Sequence, residues 1–236
     1  MHFLDLTLDS PAANLALDEG LLDAAEDGGA EVLRFWESPE YFVVVGYANK
    51  VGVEVNVPAC RERKLPIFRR CSGGGTVLQG PGCLNYSLVL SFENEPKLQT
   101  IPGANCYIMG RNAEALRAAL GLDANVCGIT DLAVGGLKFS GNAQRRKRRA
   151  LIFHGTFLLT FNLQLVSELL RAPSKEPEYR GGRTHGQFIT NLLVDGAGIK
   201  SALCSAWNAN QRHSAIPDIR QLVQDKYSTD EWNLKF

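Results

Sequence analysis

The 236-residue chain can bury a sizeable core, and its 45% hydrophobic, 21% charged composition is that of an ordered globular protein and not of a disordered one. Its 25 Lys and Arg balance 25 Asp and Glu, so no net field attracts nucleic acid or an anionic membrane, and electrostatic recognition has to be local. There is no run of about 18 apolar residues and no basic-then-apolar leader, and the six scattered cysteines form no CxxC pair, so they read as reduced thiols of a cytoplasmic protein, neither a disulfide framework nor a zinc site.

Along the chain, Ser10-Pro11 reads as an N-cap followed by proline at the first helical position. Leu15, Leu17, Leu21 and Leu22 then carry a helix to Ala25, stopped by Asp27-Gly28-Gly29. Residues 32–36 and 41–46 read as strands on either side of a Ser38-Pro39-Glu40 turn. A short helix over 58–64 and a strand over 65–70 lead into Gly73-Gly74-Gly75. Residues 85–92 alternate as a strand, 105–120 carry helical spacing, and 131–134 with 138–143 form a hairpin around Gly135-Gly136. A strongly apolar strand over 150–161, a helix over 163–170, a loop with Pro173, Pro177 and Gly181-Gly182, and helices near 198–210 and 216–227 complete the order. This mixture predicts an α+β fold with a mainly antiparallel or mixed sheet flanked by helices, in one domain over 1–236, and not regular βαβ repeats.

The segment Arg69-Arg70-Cys71-Ser72-Gly73-Gly74-Gly75-Thr76-Val77-Leu78 is the most informative. Glycine weakens a strand or turn, so a run of three marks a backbone passing close to something else. The arginines suggest that this partner is anionic. No lysine follows the glycines as a Walker A loop requires, and the dinucleotide spacing is absent as well. What remains is a backbone wall with free N–H groups, suited to a ligand chain or a phosphate. The competing reading is a glycine-rich bulge or strand crossing.

In Asp131 to Ala143, strict alternation places Lys138, Ser140 and Asn142 on one face, a cation, a hydroxyl and an amide suited to phosphate and carbonyl oxygens. A solvent-exposed edge face reads equally well. His154 on its apolar strand reads first as a hydrogen-bonded core residue, since no acid–base partner is identifiable. The run Arg145 to Arg149 reads as a solvated hairpin tip and not as a nucleic-acid patch. Cys127, a few residues before the lysine strand, is either an inert thiol or a nucleophile activated by a nearby cation.

Three ordered motifs resemble the lipoate–protein ligase A family, within the biotin/lipoate protein ligase and octanoyltransferase superfamily. They are Arg69 to Val77, Lys138 to Gln144 (Lys-x-Ser-Gly-x-Ala-Gln) and His154 to Leu159 (His-Gly-Thr-x-Leu-Leu), with fainter echoes at Asn14 to Glu19, Thr190 to Leu192 and Lys226 to Asn233. The resemblance implies a class II aminoacyl-tRNA/biotin synthetase-like catalytic domain without a C-terminal accessory domain. It implies activation of lipoate by ATP, with Mg2+, to lipoyl-AMP and pyrophosphate. Transfer would then go to a lysine of a lipoyl-acceptor domain, of a 2-oxoacid dehydrogenase E2 or the glycine cleavage H protein.

By the same resemblance Lys138 is catalytic, and Arg70 with the amides of Gly75, Thr76, Val77 and Leu78 holds the nucleotide. Gly73 and Gly74 take the acyl chain, and Ser72, Asp131, Ser140, Asn142 and His154 complete the binding site. The chain departs from the ligase pattern at Gln79-Gly80-Pro81-Gly82 and at Gly46-Tyr47-Ala48-Asn49. Some members of the family supply the accessory domain as a separate protein. Two alternatives stay open: an octanoyltransferase drawing on octanoyl-acyl carrier protein through a Cys127 thioester, and a non-catalytic lipoyl-domain-binding module. No nucleic acid or membrane partner is expected.

Overall fold

A computed structural model describes residues 1–236. The chain opens with strand β1 (His2–Asp5) and helix α1 (Pro11–Glu26), whose N-cap Ser10 side chain accepts from the Ala13 amide. Strands β2 (Val32–Trp36) and β3 (Phe42–Val45) follow. Short helices α2 (Val51–Glu54) and α3 (Val57–Glu62) lead to β4 (Ile67–Arg69), β5 (Val77–Gln79) and β6 (Cys83–Ser91). Helix α4 (Ile101–Leu120) is followed by β7 (Asn125–Cys127), β8 (Asp131–Val134), β9 (Leu137–Arg146) and β10 (Ala150–Leu158). The remainder comprises α5 (Leu163–Leu169), α6 (His185–Phe188), α7 (Gly196–Ala206), β11 (Gln211–Arg212), α8 (Arg220–Leu222), a π-helical turn (Val223–Tyr227) and α9 (Asp230–Asn233).

Eight strands form a mixed sheet in the order β11-β1-β2-β6-β10-β9-β8-β7, and β4-β3-β5 form a second, smaller sheet. Only the pairings of β1 with β11 and β2 are parallel in the large sheet; all the others are antiparallel. One face of the large sheet packs against α4 and α7 through Phe153, Phe157, Ile108, Met109, Ile199 and Leu203. The other face packs against α1 through Val89, Ile152, Leu17 and Leu21. Each such fully buried side chain contributes roughly 1.5–3 kcal/mol relative to exposure. The expected α+β architecture with helices flanking a mixed sheet is therefore found.

Several boundaries differ from expectation. Helix α4 begins at Ile101 and not near 105, because Pro102 falls in the first turn, where its missing N–H costs nothing, and the Thr100 side chain caps the Gly103 amide. The helix expected over 216–227 starts only at Arg220, just after a turn in which Asp218 Oδ1 accepts from the Arg220 amide. Strands β1, β7 and β11 are too short for their alternation to stand out. The basic run behaves as the hairpin tip expected of it, with Lys147, Arg148 and Arg149 exposed at the β9–β10 turn.

Candidate active site

Strand β9 organises the site, and it does not alternate as its sequence suggests. Asp131 pairs with Gly141 and Leu132 with Ser140, but Ala133 pairs with Lys138, so a bulge inserts Phe139. One extra residue reverses the side-chain parity beyond it. Lys138 therefore lies on the Asp131–Gly141 face, while Ser140 and Asn142 turn to the α4 face. The shared face expected for Lys138, Ser140 and Asn142 is thus not formed.

Asn142 is fully engaged on the α4 side. Tyr86 donates to its Oδ1 at 2.6 Å, and its Nδ2 donates to Thr130 O at 2.7 Å and Ser140 Oγ at 3.2 Å. Asn112 extends the array by donating to Tyr86 OH at 3.0 Å, and Trp207 donates to Asn112 at 2.8 Å. Gly155 leaves the room: a Cβ there would stand 1.8 Å from Asn142 Oδ1. Ser140 and Asn142 hold the strand from its core side and do not share the face of Lys138.

On the other face, Lys138 Nζ stands 2.7 Å from Asp131 Oδ1, over the bare backbone of Gly141. Tyr179, from the loop after α5, donates to Asp131 Oδ2 at 2.9 Å. Cys127 is the direct cross-strand partner of Asp131. Burial pushes its thiol pKa up, and the Asp131 carboxylate pushes it further, the opposite of what an activated nucleophile needs.

The next residue outward on this face of β9, Ala143, meets the glycine loop: a Cβ on Gly74 would lie 3.1 Å from Ala143 Cβ and 2.9 Å from Arg70 Nη2. Arg70 shapes that loop from beneath. Its Nε donates to Ser72 Oγ and Gly73 O, both at 3.1 Å, and its Nη2 to Gly73 O at 2.5 Å and Gly75 O at 2.7 Å. A trans peptide carries its C=O and N–H in opposite directions. Drawing the Gly73 and Gly75 carbonyls toward Arg70 therefore turns the Gly74 and Thr76 amides outward, and neither donates to any protein acceptor. Gly74 takes φ +83°, accessible to glycine without strain. Arg70 is buried with no carboxylate beside it, and desolvation brings its pKa down to about 10. The result is an amide nest over a buried, uncompensated cation, a ready anion site.

Ser72 and His154 belong to the frame of this loop. Ser72 is fully buried, and His154 Nε2 lies 2.5 Å from its Oγ. His154 Nδ1 is 3.0 Å from Asp18 Oδ2, which also accepts from Ser87 at 2.8 Å, while Arg34 pairs with Asp18 Oδ1 at 2.6 Å. The reading of His154 as a hydrogen-bonded interior residue therefore fits, with partners the sequence did not reveal. Val77 and Leu78 belong to β5, where Leu78 is buried, and Thr76 Oγ1 accepts from Asn49 at 3.3 Å. Arg69 faces away from the loop, its guanidinium consumed by the carbonyls of Gly46, Tyr47, Asn49, Trp232 and Asn233.

Sequence reasoning did not pick out Asp18, Arg34, Ser87 or Tyr179. The available signal was Asn14 and Asp18 at i,i+4 on the leucine-rich face of α1, opposite an arginine inside the apolar strand Val32-Leu33-Arg34-Phe35-Trp36.

A lysine poised over a glycine lies on one pleat of a mixed sheet, and outward-turned amides over a buried arginine lie on the next. The chain belongs to the lipoyl protein ligase A/B catalytic domain family, whose sequence profile matches residues 10–195. Its relatives include a protein of Aeropyrum pernix named as a candidate lipoate-protein ligase A, 34% identical over 190 residues, covering 80% of this chain and 69% of that one. The octanoyltransferase LipM of Anoxybacillus flavithermus is 29% identical over 275 aligned positions, covering 99% and 98%. A crystal structure of lipoate-protein ligase A bound with ATP superposes with TM-score 0.84 at 25% identity, covering 99% of both chains. The fold is also that of a bi-partite lipoate protein ligase from Thermoplasma acidophilum, studied with its E2 lipoyl domain, at TM-score 0.83 and 24% identity over 99% and 96%. The protein is thus an enzyme of a ligase and acyltransferase family. No helix in it is long and apolar enough to cross a membrane.

Proposed function

We propose that this protein activates lipoate with ATP as lipoyl-AMP and passes the lipoyl group to a lysine of an acceptor lipoyl domain. The observation that carries the reading is the convergence of Lys138 and the glycine loop on one face of β9, over Gly141 and Ala143. Residues two apart on a strand are roughly 7 Å apart, a span that a carboxyl–phosphate anhydride bridges.

In the activation step a carboxylate oxygen of lipoate attacks the α-phosphorus of ATP and pyrophosphate leaves. The outward amides of Gly74 and Thr76 receive the α-phosphate, and Lys138, drawn off Asp131, neutralises the charge that develops on the bridging and carbonyl oxygens. The acyl chain runs along Gly73 and Gly74, where no Cβ intrudes. In the transfer step the acceptor amine attacks the acyl carbonyl and AMP leaves with the bridging oxygen.

No cluster of three His, Cys, Asp or Glu side chains placed to hold a metal ion occurs in the chain. Magnesium therefore fits as an ion carried by the nucleotide phosphates. An E2 lipoyl domain or a glycine cleavage H protein fits as acceptor, and a separate accessory-domain protein fits as a partner in activation. Lipoate-dependent exchange of pyrophosphate into ATP tests the reading, with the chain alone and with an accessory protein added. Exchange that disappears in Lys138→Ala is expected; no exchange under either condition overturns it.

One observation favours a second reading, an octanoyltransferase: Cys127 is the cross-strand neighbour of Asp131, beside Lys138, and LipM relatives align over nearly the whole chain. The raised thiol pKa weighs against it. An octanoyl adduct formed from octanoyl-acyl carrier protein on Cys127, absent in Cys127→Ala, would make this reading the correct one.

A further inference from the structure

A row of side chains crosses the sheet beneath α1. Strand register aligns Arg34 with Ser87, Ser87 with His154 and His154 with Ala143 across β2, β6, β10 and β9. The row ends at Ala143, on which Gly74 of the anion nest rests. Asp18 of α1 lies against this row and binds three of its neighbours, Arg34, Ser87 and His154.

The donors and acceptors along the row determine where its protons sit. Asp18 can only accept: Oδ1 takes Arg34, and Oδ2 takes the Ser87 hydroxyl and His154 Nδ1. His154 therefore carries its proton on Nδ1, an assignment made from the network, which leaves Nε2 as an acceptor for the Ser72 hydroxyl at 2.5 Å. With its proton committed to His154, Ser72 Oγ presents lone pairs, and Arg70 Nε donates to it at 3.1 Å. If Nε2 donated instead, the Ser72 proton would have no acceptor, because Ser72 Oγ has no partner other than His154 and Arg70. Arg70 is then held flat against Gly73 O and Gly75 O.

We propose that Asp18 and His154 are positioning residues that act through the Ser72 hydroxyl and Arg70 on the glycine loop, holding the Gly74 and Thr76 amides outward for an anion. The distances resemble a Ser-His-Asp nucleophile array. Ser72, however, is fully buried and its oxygen is capped by Arg70, so the array orients a loop and attacks nothing. That the anion is a nucleotide phosphate rests on the function proposed above; the proton arrangement does not.

Two replacements of His154 separate the links of the row. In His154→Asn the amide nitrogen replaces Nδ1 toward Asp18 and nothing reaches Ser72; in His154→Gln the amide oxygen reaches Ser72 as an acceptor. Calorimetry with ATP should find affinity lost about tenfold in His154→Asn and in Ser72→Ala, in the range of one hydrogen bond to a charged group, and largely kept in His154→Gln. The melting temperatures of His154→Asn and His154→Gln should be similar. Without ligand, two-bond nitrogen–proton spectra should give the Nδ1–H tautomer for His154, and the Gly74 and Thr76 amide signals should move in Ser72→Ala. Unchanged ATP affinity in both His154→Asn and Ser72→Ala overturns the proposal. So does the Nε2–H tautomer, or an acyl adduct on Ser72. If the wild-type chain binds no ATP, the nucleotide reading fails, and the ligand-free spectra decide the relay alone: fixed Gly74 and Thr76 signals in Ser72→Ala would refute it.

Discussion

Asp131 holds Lys138: the ammonium stands 2.7 Å from Oδ1, over Gly141, with Tyr179 on the second oxygen of the same carboxylate. The lysine is partly exposed, with 27% of its side chain accessible, and the aspartate is largely buried at 12%, so the pair contributes on the order of 1 kcal/mol to stability. The contact can therefore open when a stronger anion arrives. Asp131 and Tyr179 hold the lysine in a defined place, which under the proposed function limits the ordering left for the transition state.

Lys138→Ala is expected to lower lipoyl transfer by about a hundredfold or more, the usual scale for losing one preorganised charge-stabilising group. Its melting temperature should stay within a few degrees of wild type. Turnover close to wild type would remove Lys138 from the chemistry.

Gly155→Ala is expected to destabilise the fold by about 2–3 kcal/mol, as overpacking does in a close-packed interior. The new Cβ would sit 1.8 Å from Asn142 Oδ1 and 2.7 Å from the Gly141 carbonyl, breaking the Tyr86–Asn142 hydrogen bond. Urea denaturation measures this directly. A loss under about 0.5 kcal/mol would mean that Asn142 is free to move and that the buried amide array is not what fixes β9.

The sequence made the large elements legible because their signals are local. Helix α1 has its cap and stop, and the long apolar strands β6 and β10 and the Gly135-Gly136 hairpin are equally plain. The Phe139 bulge was not legible: Lys138 to Asn142 alternates regularly in sequence, and only pairing with β8 reveals the extra residue. The partnership of Asp18, Arg34, Ser87, His154 and Ser72 was hidden for a different reason. Arg34, Ser87 and His154 are single polar residues in apolar strands, and the register that aligns them, with Asp18 of α1 and Ser72 of the glycine loop brought against them, belongs to the assembled fold.

Gly74→Val should abolish measurable lipoate binding. A side chain there meets Arg70 Nη2 at 2.9 Å and Ala143 Cβ at 3.1 Å, and φ +83° is a backbone setting that a β-branched residue resists. Calorimetric titration with lipoate checks this, and wild-type affinity would mean that binding does not depend on the course of the backbone at Gly74.

The Cys127 thiol, raised by burial and by Asp131, should alkylate slowly with iodoacetamide at neutral pH and faster as pH rises. Removing the carboxylate charge lowers the thiol pKa, so Asp131→Asn should speed modification of Cys127 at neutral pH. Peptide mass analysis separates this site from the exposed Cys106. Equal rates in the two proteins would mean that Asp131 exerts no field on the thiol.

The most direct test of the account is the intact mass of an acceptor lipoyl domain after incubation with this protein, lipoate and magnesium ATP, with and without an accessory protein. The account predicts the gain of one lipoyl group on the acceptor, lost with Lys138→Ala and retained with Cys127→Ala. An acceptor left unmodified by lipoate and ATP, yet octanoylated from octanoyl-acyl carrier protein in a reaction that Cys127→Ala abolishes, would contradict it.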